Sequence, residues 1–308
     1  MNRSILDCLK YVNKSRLIFK CFAHNRSETS AVVLAEDVFE SKNEPTNRCL
    51  IITHGLFGSK TNWRSLAKAF SERGRLKVVT VDLRNHGDSP HTESMTYDDM
   101  ANDLLEVVKK YKTAQTILMG HSMGGKAAMM VALKQPTLIQ KLIVVDIAPH
   151  TSASVDEIPN YSKILLDNMN CINDAKNTLQ ARKKMDLILQ ESAESLKKNK
   201  GIRDFLLTLI TQDSNGKFVW RANLPVINKY INDIMEFPSM KNQQSIDNLK
   251  TVFVSGEKSN YISAESLPII NKLFPQNKLI KVANAGHWVH SENPNEFIRL
   301  VLPEILDT

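Results

Sequence analysis

The chain has 308 residues, of which 42% are hydrophobic and 24% charged, an ordinary balance for a globular protein with a full core. No apolar stretch approaches the roughly 20 residues that a helix needs to cross a bilayer. The formal net charge is +7, but six basic residues and one acidic residue fall within positions 1–27, and the rest of the chain has no basic stripe interleaved with aromatic residues, so no nucleic-acid surface is predicted.

The first 30 residues differ in composition from the rest of the chain. They are basic and poor in acidic residues, and charges interrupt every apolar run. This pattern is typical of a mitochondrial transit peptide, whereas a secretory signal has an uninterrupted apolar centre. We therefore predict that residues 1–30 direct the protein to the mitochondrial matrix. The alternative is a cytosolic N-terminal extension.

Residues 31–150 alternate apolar strands with amphipathic helices. Strands are predicted within 31–39 and at 49–53, 77–81, 116–119 and 141–145, and helices at 62–72, 97–110 and 123–134. Continuous apolar strands separated by helices are typical of a parallel sheet that is covered on both faces. The predicted fold is therefore α/β, with a mostly parallel sheet and helices on both faces.

The alternation stops at residue 151 and resumes near residue 246. Helices are predicted at 161–169, 173–191, 202–212 and 226–235, with a short strand at 217–220. Strands at 251–254 and 278–282 and a helix at 266–273 follow, and a last helix opens at Pro294 with Asn293 as its N-cap. We therefore predict a core in two parts, 31–150 and 246–308, and a helical cap at 151–245.

One turn carries the strongest functional signal. The apolar run that ends at Met119 is followed by Gly120-His121-Ser122-Met123-Gly124, and a helix starts with almost no loop between them. A G-x-S-x-G pattern between strand and helix holds the serine in a strained bend with its hydroxyl exposed. The flanking glycines are needed because a side chain there would collide with the adjacent backbone. Ser122 is therefore the predicted nucleophile.

A serine hydroxyl is protonated at neutral pH, so it needs a base and a third group that orients the base. On this kind of fold the order along the chain is serine, acid, histidine, which places the base after the last strand. His287 follows that strand and is preceded by a glycine. His290 is the main alternative and lacks the glycine.

The acid is harder to identify. In many such hydrolases it lies just after the strand that follows the cap, but Gly256-Glu257-Lys258-Ser259 contains no aspartate. Asp146 ends the strand directly after the elbow strand, and neighbouring strands lie about 4.8 Å apart. We therefore predict Asp146 as the acid, with Glu257 and then Asp233 as alternatives.

Acyl transfer also requires donors for the developing oxyanion. One is expected from the backbone N–H after the nucleophile, at Met123, and the other from the loop His54-Gly55-Leu56-Phe57-Gly58. Leu56 is the predicted second donor, and Phe57 is the alternative. Phe57 and Trp288 are also candidates for substrate contact.

Five stretches, with these residues in place, carry a family resemblance: THGLFGSKTNW, VDLRNHGDSPH, GHSMGGK, VVDIAP and NAGHWVHSENP. They resemble α/β-hydrolase-fold serine hydrolases, above all the mitochondrial abhydrolase-domain subgroup of sn-1-specific diacylglycerol lipases. Small bacterial esterases and fungal ethanol acetyltransferases share the pattern. In that subgroup the acid is the aspartate of the VDIAP-like segment, which implies Asp146 here. Members have been linked to the 2-oxoglutarate dehydrogenase complex, so the resemblance implies an association with it.

The predicted function is that of a serine hydrolase that cleaves lipid carboxylic esters, such as diacylglycerol or monoacylglycerol, through an acyl-enzyme. No cofactor is predicted. The four cysteines show no C-x-x-C spacing and have no nearby histidine pair, so no metal site is predicted either. Two alternatives remain open: a thioesterase or alcohol acyltransferase that uses the same acyl-enzyme, and a non-catalytic partner protein of a mitochondrial complex.

Overall fold

The computed structural model describes residues 31–42, 47–150, 158–238 and 245–307. The predicted transit peptide, residues 1–30, lies outside the described residues. Within these four ranges, no helix is long and apolar enough to cross a membrane.

A seven-stranded sheet lies at the centre of the fold. The strands in chain order are β1 (Glu36–Phe39), β2 (Arg48–Thr53), β3 (Lys77–Val81), β4 (Gln115–His121), β5 (Lys141–Val145), β6 (Ile210–Gln212), β7 (Phe218–Trp220), β8 (Lys250–Gly256) and β9 (Asn277–Val282). The central sheet has the order β1-β3-β2-β4-β5-β8-β9, and β6 pairs with β7 in a separate hairpin. All neighbours in the sheet are parallel except β1, which pairs antiparallel with β3. The predicted mostly parallel sheet is confirmed.

Helices cover both faces of this sheet, and further helices form between β5 and β8. They are α1 (Arg64–Gly74), α2 (Tyr97–Lys110), α3 (Met123–Lys134), α4 (Ile158–Asp167), α5 (Thr178–Ser192), α6 (Glu194–Lys198), α7 (Lys200–Leu207), α8 (Leu224–Lys229), α9 (Ile231–Met235), α10 (Leu267–Leu273), α11 (Val289–Glu292) and α12 (Pro294–Leu306). Asn293 caps α12, as predicted, because its side chain accepts a hydrogen bond from Glu296 N.

The alternation of side chains along β2 divides the core into two clusters. Ile51 packs in the cluster that contains residues of α2 and α3, whereas Leu50 and Ile52 pack in the cluster that contains Phe70 of α1 and Phe297 of α12. Successive strand residues point to opposite faces, so a run that is apolar at every position fills both clusters. This explains why the strands have continuous apolar sequences.

Between β5 and β8 the chain forms the helices α4 to α9 and the hairpin β6–β7. The helix predicted at 202–212 is wrong in its second half, because α7 ends at Leu207 and residues 210–212 form β6. The turn between β6 and β7 contains Gly216 with φ +78°, which lets the chain reverse.

Three other predicted helices of this region have different bounds. The helix predicted at 161–169 is α4, which spans Ile158–Asp167. The helix predicted at 226–235 is two helices, α8 and α9, separated by Tyr230 at φ −102° and ψ 9°. The helix predicted to begin at residue 173 begins at Thr178, because the Asn177 side chain accepts a hydrogen bond from Gln180 N and caps it there.

Candidate active site

Ser122 lies in the sharp turn between β4 and α3. Its φ of 52° and ψ of −120° are unusual for a residue with a side chain. A Cβ atom built on Gly120 would lie 2.3 Å from the carbonyl oxygen of Gly124, and one built on Gly124 would lie 2.4 Å from the carbonyl oxygen of His54. Both positions therefore require glycine, as the sequence pattern predicted.

Asp146 and His287 are joined by a hydrogen bond. Asp146 directly follows β5 at φ 54°, and its Oδ2 accepts a hydrogen bond from Nδ1 of His287 at 2.7 Å. The Asp146 side chain is fully buried, and its other oxygen accepts a hydrogen bond from Gly256 N at 2.9 Å. Because Nδ1 carries the proton in this bond, Nε2 is the ring nitrogen left to act as a base.

Sheet order places the nucleophile beside this pair. Strands β4 and β5 are parallel neighbours, with His121 paired with Val145, so Ser122 and Asp146 follow adjacent strand ends. Ser122 N donates a hydrogen bond to the carbonyl oxygen of Val145 at 3.0 Å. Ser122 and His287 line the same cavity. The carboxyl ends of parallel strands thus bring the three predicted groups to one edge of the sheet.

The residues predicted as alternative acids and as the alternative base lie outside the Asp146–His287 hydrogen bond. Glu257 is exposed and accepts a hydrogen bond from Asn284 N at 2.8 Å, while Asp233 is exposed on α9. His290 is buried with its ring stacked on Trp63, the centroids being 4.1 Å apart, and burial lowers its pKa to about 3. Of the three candidate acids, Asp146 is therefore the one that accepts the hydrogen bond from Nδ1 of His287.

One predicted oxyanion donor, Met123, directly follows Ser122, and the other, Leu56, lines the same cavity as Ser122. Met123 is the first residue of α3, so its N–H has no partner within the helix. The amide of Phe57 donates a hydrogen bond to Nε2 of His86 at 3.2 Å, which removes Phe57 as the alternative donor. Leu56 and Phe57 both line the cavity, and the loop closes with a hydrogen bond from Gly58 N to the Gly55 carbonyl oxygen at 2.9 Å.

Two buried histidines brace this loop. His54 accepts a hydrogen bond from Leu83 N at Nε2 and donates one to the carbonyl oxygen of Gly55 from Nδ1. His86 accepts at Nε2 and donates to the carbonyl oxygen of Arg84 from Nδ1. Burial lowers the pKa of both imidazoles, to about 3 for His86. Both rings are therefore neutral and structural.

The cavity at Ser122 has a volume of about 310 Å³, and its walls are mainly apolar. Leu56, Phe57 and Trp63 line it from the core side, and Ile202, Phe205 and Leu206 of α7 line it from the region between β5 and β8. Trp288 lines it too, with its ring centroid 5.7 Å from that of Phe205. An apolar cavity with a few polar groups at one end is typical of a site for an organic ligand.

The structure adds residues that the sequence patterns did not single out. Ser259 donates a hydrogen bond to Asp146 Oδ2 at 2.5 Å, and the ring of Tyr261 stacks on His287 with centroids 3.8 Å apart. Burial, together with the charge of Asp146, raises the pKa of Tyr261 to about 12. Ser259 stands three residues after Gly256, in the segment after the strand that follows the cap, where many related hydrolases carry their acid, so its position in the sequence is itself a signal.

Comparison with known proteins agrees with this geometry. The family model described as alpha/beta hydrolase fold matches residues 49–294. The sn-1-specific diacylglycerol lipase ABHD11 of Danio rerio is 36% identical over 273 residues, which cover 89% of this chain and 82% of that protein. A probable alcohol acetyltransferase of Saccharomyces cerevisiae is 33% identical over 260 residues, which cover 80% of this chain and 74% of the relative.

A solved structure leads to the same family. A marine microorganism esterase superposes with a TM-score of 0.75 at 33% sequence identity, covering 89% of this chain and 99% of the esterase. The predicted enzyme class, a carboxylic ester hydrolase, is confirmed by these matches. The family model covers most of the chain and the relatives are matched over most of their length, so the protein belongs to the α/β hydrolase fold family.

Proposed function

We propose that the protein is a serine hydrolase that cleaves lipid carboxylic esters, with diacylglycerol or monoacylglycerol as substrates. One observation carries the chemistry: Asp146 holds the ring of His287 at the sheet edge where Ser122 stands in its strained turn. Two further findings support a lipid substrate, namely the apolar cavity of about 310 Å³ and the relatives named diacylglycerol lipases.

The proposed reaction has two halves. In the first half, Ser122 Oγ attacks the ester carbonyl while Nε2 of His287 accepts its proton, and the same nitrogen then protonates the leaving alcohol. Asp146 keeps the ring in the Nδ1–H tautomer and stabilises the imidazolium that forms. In the second half, water attacks the acyl-enzyme with His287 again as the base, and the fatty acid leaves.

The amides of Met123 and Leu56 are the proposed donors to the tetrahedral oxyanion. Each such donor is typically worth about 2.7–4 kcal/mol of transition-state stabilisation. A helix N-terminus adds a favourable field for negative charge, and Met123 stands at the start of α3. The loop that carries Leu56 is held by the neutral rings of His54 and His86.

The test is the Ser122→Ala variant. The wild type should hydrolyse short p-nitrophenyl esters and diacylglycerol, and a fluorophosphonate probe should label Ser122. Ser122→Ala should lose both turnover and labelling while keeping the wild-type melting temperature. Undiminished hydrolysis by this variant would refute the mechanism.

A second candidate is transfer of the acyl group to an alcohol instead of water. The relative in Saccharomyces cerevisiae that is named a probable alcohol acetyltransferase favours it. Product analysis with an acyl-CoA or an ester as donor and an added alcohol separates the two reactions. A new ester formed at a higher rate than free acid would support the transferase.

We further propose that residues 1–30 direct the protein to the mitochondrial matrix. The support is compositional, since this segment is basic and poor in acidic residues. Fusing residues 1–30 to a fluorescent reporter tests the proposal. Mitochondrial fluorescence is the expected result, and diffuse cytosolic fluorescence would contradict it.

A further inference from the structure

The residue immediately before the nucleophile contacts the loop that carries the base. His121 is the last residue of β4, and only 4% of its surface is exposed. Its Nε2 donates a hydrogen bond to the main-chain carbonyl oxygen of His287 at 2.9 Å. The rings of His121 and His287 lie 4.7 Å apart at an interplanar angle of 42°.

The ring of His121 is also fixed on its other side. A Cβ atom built on Gly55 would lie only 2.8 Å from Nδ1 of His121, so the ring packs directly against the backbone of the loop that carries Leu56. His290 meets it edge-on at 4.7 Å. The imidazole thus lies between the loop that carries Leu56, one of the two proposed oxyanion donors, and the loop that carries the proposed base.

Other hydrogen bonds within the described residues hold the His287 loop from elements other than the strand that carries the nucleophile. Glu292 accepts hydrogen bonds from Gly286 N and Trp288 N, and Lys258 N donates to the carbonyl oxygen of Ala285. These contacts fix the loop to α11 and to the segment after β8. The bond from His121 fixes it to the residue next to Ser122.

We propose that His121 is a positioning residue, whose Nε2–H holds the backbone of His287 at the distance from the Ser122 turn that proton transfer requires. It acts through His287 and touches no reacting atom. The proposal rests on the role of His287 as the base. Misplacing a catalytic group by about 1 Å can cost about a hundredfold in rate.

The protonation state of His121 suits this role. Burial, and then the neighbouring ring of His287, lower its pKa well below the usual value. The ring is therefore neutral, donates from Nε2 alone and adds no positive charge beside the imidazolium that His287 forms during the reaction.

Three variants of the full chain test the proposal. H121F keeps a planar ring but has no donor, and H121Q places an amide donor near the position of Nε2. H91F makes the same exchange at an exposed histidine away from the cavity and serves as the control. For each variant kcat and KM are measured with a short p-nitrophenyl ester, and hydrogen exchange is measured for the peptide that spans 283–292.

H121F should lower kcat by roughly 10- to 100-fold, with KM within about twofold and faster exchange in 283–292. H121Q should recover most of kcat, and H91F should match the wild type. If H121F does not fold, H121N, whose shorter amide falls short of the carbonyl, is compared with H121Q instead. Wild-type kcat in the variant without a donor, or no recovery in H121Q, would overturn the proposal. An inactive and unlabelled wild type would instead contradict the proposed function.

Discussion

Each of the two buried carboxylate oxygens of Asp146 has its own partners. Oδ1 accepts a hydrogen bond from Gly256 N. Oδ2 accepts hydrogen bonds from the Ser259 hydroxyl and from Nδ1 of His287. Burying a carboxylate is costly unless it is hydrogen-bonded, and three donors compensate for that cost here. Asp146 therefore has a fixed orientation before substrate binds, and so does the ring that it holds.

Replacing Asp146 with asparagine tests its assignment as the acid. Asn keeps the shape, but its amide can turn a donor towards Nδ1 and favour the wrong tautomer of His287. We expect kcat for a p-nitrophenyl ester to fall by about 10³- to 10⁴-fold, as in other serine hydrolases. Glu257→Gln is the matched control, because Glu257 is exposed and the amide oxygen of the substituted glutamine can still accept the hydrogen bond from Asn284 N. A comparable loss of kcat in Glu257→Gln would contradict the assignment of Asp146 as the acid and favour Glu257.

At the scale of elements, the turn from β4 into α3 depends on close contact with β2. The Cβ position of Gly124 lies 2.4 Å from both the carbonyl oxygen of His54 and the hydroxyl of Thr53. Real Cβ atoms do not approach so closely, so any side chain there must push α3 away from β2. The position of Ser122 thus depends on a helix that packs against its neighbouring strand without a gap.

Gly124→Ala should therefore destabilise the fold by about 1–3 kcal/mol. The measurement is the free energy of unfolding from denaturant titration. Gly201→Ala in α7 is the control, because the nearest atom to its Cβ position is the Asn199 side-chain oxygen at 3.2 Å. That control should stay within about 1 kcal/mol of the wild type. Equal effects of the two substitutions would show that the close contact at Gly124 is unimportant.

The sequence was most informative where local signals agree with packing. Strands β3 and β5 and helices α2 and α3 have the predicted bounds. For α2 the reason is visible, since Thr96 accepts a hydrogen bond from Asp99 N and caps the helix. The helix predicted at 202–212 failed because its apolar spacing continues into β6, while the reversal that ends it depends on pairing with β7.

The site shows a similar division. The turn around Ser122 is encoded locally, by glycines on either side of the serine. The contact of Asp146 with His287 depends on the strand order β5-β8-β9, which brings together residues 141 positions apart. No local pattern encodes that order, so the sequence alone leaves Glu257 as a candidate acid, although its carboxylate accepts a hydrogen bond from Asn284 N. The contacts of Ser259 with Asp146 and of His121 with His287 could not be predicted from the sequence for the same reason.

At the scale of the whole molecule, α3 also holds the end of α9. Lys126, on the first turns of α3, donates hydrogen bonds from Nζ to the carbonyl oxygens of Ile234, Met235 and Glu236. The hydroxyl of Tyr97 also donates to Ile234 O, at 2.7 Å. The helix that follows the nucleophile thus fixes part of the region between β5 and β8.

Burial lowers the pKa of Lys126 to about 7, which makes this attachment dependent on pH. Between about pH 7 and the ordinary lysine pKa near 10.4, the unfolded chain binds more protons at this site than the folded protein does. The free energy of unfolding of the wild type, relative to Lys126→Met, should therefore rise with pH across this window. The measurement is denaturant unfolding of both proteins at several pH values. A difference that stays constant would mean that Lys126 titrates as an exposed lysine does.

The place of Asp146 in the chain also affects how this enzyme can change. Ser122 and Asp146 both precede the long segment between β5 and β8, and of the three proposed catalytic residues His287 alone follows that segment. Ser122 and Asp146 thus keep their spacing along the chain whatever the segment between β5 and β8 contains. An insertion grafted from a relative into this scaffold has to return the chain at β8 and leave room for the imidazole. Substrate range can therefore diverge while the reaction chemistry is inherited intact.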